Sequence, residues 1–176
     1  MSRRIEPASE HEPPAVWRQA RNIDLAAIAG IAEAIHPHLP EGPAIFAERL
    51  QLFPQGCFVL APNGIVAGYG ISYPWMLHDI PPLGTLLEGL PLSSECLFVH
   101  DVAIVPAARG NGSAGKLLQI LTAVARSHHL PFLALVSVYG TDVLWSRFGF
   151  RAQSGSRVFD KLDSYGPTAR YMMAAV

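Results

Sequence analysis

"RGNGSAGKLL", residues 109–118, is the stretch that decides the fold, because three different phosphate-binding loops can be read in it. Counted from Gly110, it has the spacing G-x-G-x-x-G, and from the same glycine it also has the spacing G-x-x-x-x-G-K. Counted from Arg109, it has the spacing R-x-x-G-x-A, a third kind of pyrophosphate loop. The residues around the loop have to decide among the three.

The second pattern is that of a P-loop nucleoside triphosphatase, and two features disfavour it. The residue after the lysine should be Ser or Thr, whose hydroxyl binds Mg²⁺, but here it is Leu117. The preceding strand should also run directly into the first glycine, whereas residues 106–109 intervene.

The first pattern is that of a dinucleotide-binding enzyme, and the sequence downstream does not support it. Such a site places an acidic residue about 20 positions on, at the end of the next strand, to hold the ribose. The next strand here ends "LALVSVYG", residues 133–140, without an acid. Too few residues follow to complete a doubly wound sheet.

The third pattern agrees with the residues on both sides of the loop. A buried strand at 96–106 leads through a short turn to Arg109, and then glycines open an amphipathic helix that starts near Gly112. Glycines let backbone N–H groups approach an anion, and the helix dipole adds to the attraction. Arg109 could brace the loop or contact a phosphate. The alternative is that the glycines only make a tight turn.

The apolar stripe of the helix consists of Ala114, Leu117, Leu118, Leu121, Val124 and Ala125.

Composition narrows the class of protein further. The chain has 176 residues, half of them apolar and 15% charged, and a net charge of −1, which is typical of one well-buried globular domain. No basic run follows Arg3-Arg4, so we expect no nucleic acid partner. No signal peptide or membrane-length apolar run is present, so we expect no membrane contact and a soluble cytoplasmic protein. Cys57 and Cys96 are expected to be buried free thiols, and no metal-ligand spacing occurs.

The distribution of apolar, polar and turn residues along the chain predicts one domain over residues 15–176 after a flexible tail at 1–14. We expect a strand at 15–21, a helix over 22–37 capped by Asn22 or Asp24, and a short helix at 43–54. A hairpin should turn at Asn63-Gly64, and a long loop, or a loop with a short helix at 83–90, should fill 74–95. A strand at 131–138, a helix at 141–149 and one or two closing strands complete the chain.

Two segments together resemble a known family. "VHDVAIVPAARGNGSAGKLL", residues 99–118, resembles the acetyl-CoA motif of the GNAT superfamily of N-acetyltransferases, and "VLWSRFGF", residues 143–150, is similar to a later element of that family. The resemblance implies an α/β (α+β) fold with a mixed, splayed sheet of about six or seven strands and about four helices. It also implies acetyl-CoA as co-substrate, lying between the strands at 96–106 and 131–138. The implied cofactor contacts are backbone groups of Val102, Ala103 and Ile104 for the pantetheine and acetyl end, and Arg109, Gly110, Asn111, Gly112, Ser113, Ala114 and Gly115 for the pyrophosphate.

The resemblance implies a reaction as well. An acetyl group would pass to a primary amine of a small molecule, peptide or protein by direct attack in a ternary complex. The alternative is a non-catalytic acyl-CoA-binding or sensing module. Its motive is Trp145, which stands where the family usually has a tyrosine that acts as general acid. An indole N–H is not a usable proton source, so the thiolate leaves unaided or another group such as Tyr139 serves. A homodimer is possible, since family members are often dimers.

His100 is the candidate general base. His100 and Asp101 are ionisable residues in an otherwise apolar strand, and burying them is costly unless they are paired or used. As neighbours on a strand they should face opposite sides, with His100 on the face of Phe98, Val102 and Ile104. One family member has a histidine at the matching position. Asp101 is expected to be structural, held by backbone N–H groups or an arginine.

The acceptor pocket is expected in the segments 36–46 and 74–95, as in the family. Apolar residues there suggest an apolar or aromatic amine, and acidic residues could hold an ammonium; the alternative is a lid with a solvated rim. The apolar candidates are Trp75, Met76, Leu77, Leu83, Leu86 and Leu87, and the acidic ones are Glu41, Asp79 and Glu88.

Overall fold

The structure is a computed structural model that describes residues 16–154 and 161–176. Within these ranges it contains seven strands and four α-helices. The strands are β1 (Trp17–Gln19), β2 (Cys57–Leu60), β3 (Gly68–Trp75), β4 (Cys96–Ile104), β5 (Phe132–Ser137), β6 (Arg151–Ala152) and β7 (Arg170–Ala175). The helices are α1 (Leu25–Ile35), α2 (Pro43–Leu52), α3 (Ser113–Ser127) and α4 (Asp142–Arg147).

The strands form one mixed sheet in the order β1-β2-β3-β4-β5-β7-β6. Only β4 and β5 are parallel, and α3 provides the crossover between them that parallel neighbours require. Their pairing runs from Cys96–Phe132 to Val99–Leu135 and stops there, although β4 continues to Ile104. The sheet therefore splays between its two central strands. This confirms the fold class that the resemblance implies.

The helices cover both faces of the sheet. One face packs α1 and α2 against Tyr69, Ile71 and Ala103. The other face carries α3, which lies so close to β3 that a Cβ on Gly70 would come within 2.5 Å of a Leu117 methyl group. A side chain at position 70 would therefore force Leu117 to shift, and glycine allows α3 to pack at this depth without that change. The predicted stripe of α3 is confirmed, with its central residues Leu117, Leu118, Leu121 and Ala125 buried.

A β-bulge in β4 changes which side chains share a face. Ile71 pairs with Asp101 and Ser72 pairs with Val99, so His100 is an extra residue with no partner on β3. Since cross-strand partners share a face, Asp101 and Ala103 lie on the face of Tyr69 and Ile71, the α1–α2 side. His100 contacts Glu41, which follows α1, and the hydroxyl of Tyr73, two residues beyond Ile71 on β3, so it lies on this side as well. Two predictions are therefore wrong: His100 and Asp101 do not face opposite sides, and His100 does not share its face with Val102 and Ile104.

Most predicted elements are found, with shifted ends. The helix α1 begins at Leu25 after a 3₁₀ turn at Asn22–Asp24, and Asp24, one of the two predicted caps, is its N-cap residue, although its side chain makes no cap bond to α1. The Asp24 carboxylate accepts two hydrogen bonds of 2.7 Å from Arg18 and one of 2.8 Å from the Arg21 N–H at the start of the 3₁₀ turn. The hairpin turns at Asn63-Gly64 as predicted, both with positive φ. No helix forms at 83–90.

The predicted tail at 1–14 lies outside the described residues, as does the segment 155–160 among the closing strands. Both cysteines are free and buried, as predicted. In the described part of the chain, no helix combines the length and the apolar character needed to cross a membrane.

Candidate active site

A cleft of about 770 Å³ opens where β4 and β5 diverge. One end is the loop before α3, and the other end is formed by residues that follow α1, including His36 and Glu41. Beyond Val99, the edge of β4 that faces β5 is no longer paired with it, so backbone polar groups of this edge are available to a ligand in the cleft. The cleft is thus lined both by the glycine loop before α3 and by a cluster of ionisable side chains.

The loop at 109–115 has the features of an anion site. Gly110 and Gly112 have φ values of 87° and 70°, a region in which side chains are strained, and Gly112 is the N-cap residue of α3. A Cβ on either glycine would meet no described atom within 4 Å, so space is open in front of the backbone. Ser113 is 3% exposed, and its hydroxyl has no hydrogen-bond partner among the described residues. A phosphate oxygen would supply that partner.

Arg109 braces this loop. Its Nε donates a hydrogen bond of 2.8 Å to the Ile104 carbonyl, which fastens the loop to the end of β4. This is the bracing role considered for Arg109, and its contact with a phosphate stays a prediction. All of the predicted cofactor residues line the cleft except Asn111: Val102, Ala103, Ile104, Arg109, Gly110, Gly112, Ser113, Ala114 and Gly115.

His100 lies in the cleft wall and is held at both ring nitrogens. Nε2 is 2.7 Å from Glu41 Oε2, and Nδ1 is 3.1 Å from the Tyr73 hydroxyl. Its side chain is only 2% exposed. Burial raises the pKa of Tyr73 well above its usual value, so the phenol stays protonated and can donate to Nδ1, while Nε2–H donates to the carboxylate.

His36 and Asp101 form a second histidine–carboxylate pair beside the first. His36 Nε2 lies 3.1 Å from Asp101 Oδ1, an ion-pair contact whose alignment is poorer than that of a hydrogen bond. The other oxygen of Asp101 accepts a hydrogen bond of 2.5 Å from the Tyr69 hydroxyl. The prediction that backbone N–H groups or an arginine hold Asp101 is therefore wrong, because the bulge turns it towards Tyr69 and His36.

The pKa values of His36 and Glu41 both shift in the direction that favours the charged form. Burial alone lowers the pKa of His36, but Asp101, with help from Glu41, outweighs burial and raises it above 6.5. Burial alone raises the pKa of Glu41, but His100, the Gly84 N–H and Arg49 outweigh burial and lower it below 4.5. Burial and the negative charge of Asp101 raise the pKa of Tyr69, which keeps its phenol neutral.

Two aromatic residues bear on the missing general acid. The Trp145 indole donates a hydrogen bond of 3.2 Å to Thr141 Oγ1 and packs edge-on against Phe150, so it is committed within α4 and its surroundings. Tyr139, with a positive φ of 54°, stacks on His36 at 5.7 Å between ring centroids. Burial and Asp101 raise the pKa of Tyr139, so it stays protonated at neutral pH.

Carboxylates of the α1–α2 region fasten the long loop that follows β3. Glu41 Oε1 accepts from the Gly84 N–H at 2.9 Å, and Glu48 accepts from the N–H groups of Leu87 and Glu88. The fully buried Arg49 guanidinium donates to the Thr85 carbonyl at 2.8 Å. Part of the segment 76–95 is therefore tied down over the end of the sheet next to the cleft.

The predicted acceptor residues are only partly brought together. Glu41 and Leu83 line the cleft, but the other apolar candidates do not. Asp79 pairs with Lys161, and Glu88 lies away from the cleft lining. Sequence reasoning missed Ile35 and Tyr165 as lining residues and did not single out His36. One signal was available for His36: Pro37 cannot continue a helix, which fixes His36 at the end of α1.

Comparisons with known proteins agree with this architecture. A family model described as the acetyltransferase (GNAT) family matches residues 21–150. The fold is similar to that of the GphF GNAT-like decarboxylase in complex with isobutyryl-CoA, with a TM-score of 0.71, 20% identity and coverage of 91% of this chain and 98% of that chain. None of the curated proteins compared with the chain matches it.

Two further solved structures have the same fold. Rv2747 from Mycobacterium tuberculosis, in complex with CoA and NLQ, has a TM-score of 0.67 at 19% identity, over 92% of this chain and 99% of that chain. The ribosomal-protein-S18-alanine N-acetyltransferase from Escherichia coli has a TM-score of 0.63 at 19% identity, over 92% and 93% of the two chains. At these identities the likeness concerns the fold alone. Since the family model covers most of its length, the chain belongs to the acetyltransferase (GNAT) family.

Proposed function

We propose that the protein is an acetyl-CoA-dependent N-acetyltransferase that acts on a primary amine of a small molecule, peptide or protein. The observation that carries the proposal is the continuous cleft, which joins the glycine loop at the start of α3 to two histidine–carboxylate pairs. An anion site alone would serve any nucleotide; the ionisable cluster at the far end is what an acyl transfer to an amine requires. Solved structures of the same fold that hold CoA or isobutyryl-CoA support the choice of ligand.

The residues present suit the CoA part of the substrate. Backbone N–H groups at Gly110–Gly115 and the unpartnered Ser113 hydroxyl would hold the pyrophosphate, with the positive end of α3 behind them. The free edge of β4 at Val102–Ile104 would hold the pantetheine arm through backbone hydrogen bonds. When bound, acetyl-CoA supplies an acetyl group activated as a thioester.

The protein's own residues have to prepare the amine. A lysine-type amine has a pKa of about 10.4, so at neutral pH it is an ammonium ion and cannot attack. The carboxylates of Asp101 and Glu41 give the inner end of the cleft a negative character that attracts this cation. A base must then remove one proton, and backbone N–H groups of β4 must stabilise the oxyanion.

His100 remains the base predicted from the sequence. It is in the cleft wall, as that role requires, but both of its ring nitrogens have partners here. His100 could accept a proton only if its Nδ1 gave up the hydrogen bond to Tyr73, or if the proton passed through Glu41. The role therefore stays a prediction, and the variants described below decide it.

The non-catalytic acyl-CoA-binding module is the weaker of the two functions. Its motive was Trp145, but a thiolate leaves readily without an acid. A buried histidine–carboxylate pair beside a second, partly buried one would also be costly in a site that only binds. A homodimer, a cytoplasmic location, the absence of a metal, and the absence of nucleic acid or membrane partners all stay predictions, as does a single domain over 15–176.

The experiment that tests the function has two arms. Calorimetric titration should show that acetyl-CoA binds and that Mg-ATP does not, because Leu117 stands where a P-loop needs a hydroxyl. Thiol release from acetyl-CoA should then depend on an added primary amine. Burial raises the pKa of both cysteine thiols to about 12, so the protein should add little background to a thiol assay. Binding of Mg-ATP in preference to acetyl-CoA would overturn the proposal.

A further inference from the structure

The two histidine–carboxylate pairs differ in what their imidazoles can still do. His100 has a partner at each ring nitrogen, Glu41 on one side and Tyr73 on the other. His36 has only the Asp101 contact at Nε2, and its Nδ1 is buried without a hydrogen-bond partner among the described residues. A buried polar atom without a partner is costly, and at a ligand-binding cleft it is a place where a substrate or a bound water would contribute the missing bond.

From this difference we propose that His36, oriented by Asp101, is the proton acceptor of the reaction, and that His100 is a positioning residue that holds Glu41. The inference rests on the proposed function and deepens it. His36 lies at the end of α1, where Pro37 stops the helix, and Tyr139 stacks on its ring, so the imidazole is held in one orientation. Both His36 and Asp101 line the cleft.

Asp101 is placed to stabilise the charged form of His36. The bulge at His100 turns the Asp101 carboxylate to the α1 side of the sheet, and the Tyr69 hydroxyl fixes one of its oxygens. The other oxygen lies 3.1 Å from His36 Nε2 and would share the proton that the imidazolium carries. This is the arrangement in which a carboxylate orients a histidine base and supports its protonated state.

The atoms and charges of the step balance. The substrate ammonium gives one proton to His36, directly or through a water, and the free amine attacks the acetyl carbonyl to form the C–N bond. The C–S bond then breaks, and the second N–H proton goes to the departing thiolate. The products are the acetylated amine and CoA thiol, and His36 returns its proton to solvent.

The inference predicts a defined pH dependence. The groups that face His36 are Asp101 on β4, Glu41 after α1, Tyr139 after β5, and Tyr69 behind Asp101. Since the carboxylates raise the pKa of His36 above 6.5, its neutral form, which accepts the proton, becomes dominant only above that raised value. Activity should therefore rise with pH through the pKa of His36. In Asp101→Asn the main group that raises the pKa of His36 is lost, while burial, which lowers that pKa, remains. The acidic limb of the pH–activity profile should therefore move to lower pH.

The test compares His36→Asn, His100→Asn and His38→Asn in the full-length protein, with kcat/KM and calorimetric acetyl-CoA affinity measured for each. His36→Asn should lower kcat/KM by about 10²–10⁴-fold and abolish the acidic limb, with acetyl-CoA affinity unchanged. His38→Asn is the matched control, because His38 is exposed two residues away and should have no effect. Imidazole added to His36→Ala should restore part of the rate, which a merely structural role would not allow.

A second measurement keeps the inference testable if a variant fails to fold. NMR titration of the wild-type histidines should give His36 a pKa above 6.5 that coincides with the kinetic limb. If His100→Asn, and not His36→Asn, removes the limb while both bind acetyl-CoA, the base is His100 and the inference is overturned. If the wild type binds no acetyl-CoA or acetylates no amine, the proposed function itself fails, which is a separate outcome.

Discussion

The Glu41 carboxylate lies 2.7 Å from the His100 ring with one oxygen and accepts the Gly84 N–H at 2.9 Å with the other. A single buried side chain, 5% exposed, thus connects the bulge of β4 with the long loop after β3. Its pKa is lowered in the folded protein mainly by His100, acting against burial. The wall of the cleft and the loop beside it therefore depend on the same side chain, Glu41.

Glu41→Gln should lower the free energy of unfolding by about 1–3 kcal/mol at pH 7, because the NH2 group of the amide replaces one of the two oxygens that face His100 and the Gly84 N–H, and it cannot accept a hydrogen bond. A carboxyl group whose pKa is lowered on folding contributes stability above its unfolded pKa, and the contribution is lost as pH falls through the folded pKa. The difference between wild type and Glu41→Gln should therefore be full above 4.5 and shrink below it.

Chemical denaturation at several pH values would check this, with Glu33→Gln as the control, since Glu33 is exposed on α1. A difference that stays constant down to the acid limit of folding would show that the Glu41 charge plays no part in it.

Ser113→Ala should separate binding from stability. The buried Ser113 hydroxyl has no partner among the described residues, so its removal should leave the unfolding free energy unchanged or slightly higher. If the hydroxyl contacts the pyrophosphate, acetyl-CoA affinity should fall by about 10-fold or more, equivalent to about 1.4 kcal/mol or more. Unchanged affinity in calorimetry would place the phosphates elsewhere.

Gly112→Ala and Gly64→Ala form a matched pair. Both glycines have positive φ, 70° and 82°, and both have open space where a Cβ would lie. Each substitution should cost about 1–2 kcal/mol in backbone strain. Only Gly112 lines the cleft, so only Gly112→Ala should weaken acetyl-CoA binding, by about 10-fold. Equal affinities for the two variants would argue against this loop as the anion site.

Tyr139→Phe should distinguish two roles of Tyr139, stacking on His36 and donating a proton as general acid. The phenyl ring keeps the contact with His36, and a thiolate leaves without a proton donor, so kcat should stay within about 10-fold of wild type. Tyr139→Ala removes the stacking and should reduce kcat further. A loss of about 10²–10⁴-fold in Tyr139→Phe, with acetyl-CoA affinity intact, would instead identify the Tyr139 hydroxyl as the general acid.

The sequence was sufficient for the parts of this site that depend on local structure. A buried strand, a glycine turn and an amphipathic helix are each encoded by neighbouring residues, so β4, the loop and α3 could be predicted together with the face of α3 that packs. The family resemblance implied the mixed sheet and the gap between the strands that became β4 and β5.

The ionisable end of the cleft could not be predicted in the same way. The bulge at His100 depends on how β4 pairs with β3, and simple alternation along β4 therefore assigned His100 to the face of Val102 and Ile104. The contacts of Asp101 with His36 and of His100 with Glu41 join residues separated by about 60 positions, and only the packing of α1 and the following segment against the sheet brings them together.

The most direct test of the central claim is to follow a ¹³C-labelled acetyl group from acetyl-CoA into a panel of primary amines by mass spectrometry. The account predicts that at least one amine gains the labelled acetyl group in a one-to-one ratio with the CoA thiol released, and that His36→Asn, with acetyl-CoA still bound, produces far less of it. Recovery of every amine unchanged, by a wild-type protein that binds acetyl-CoA, would contradict the account and identify a binding module instead of an enzyme.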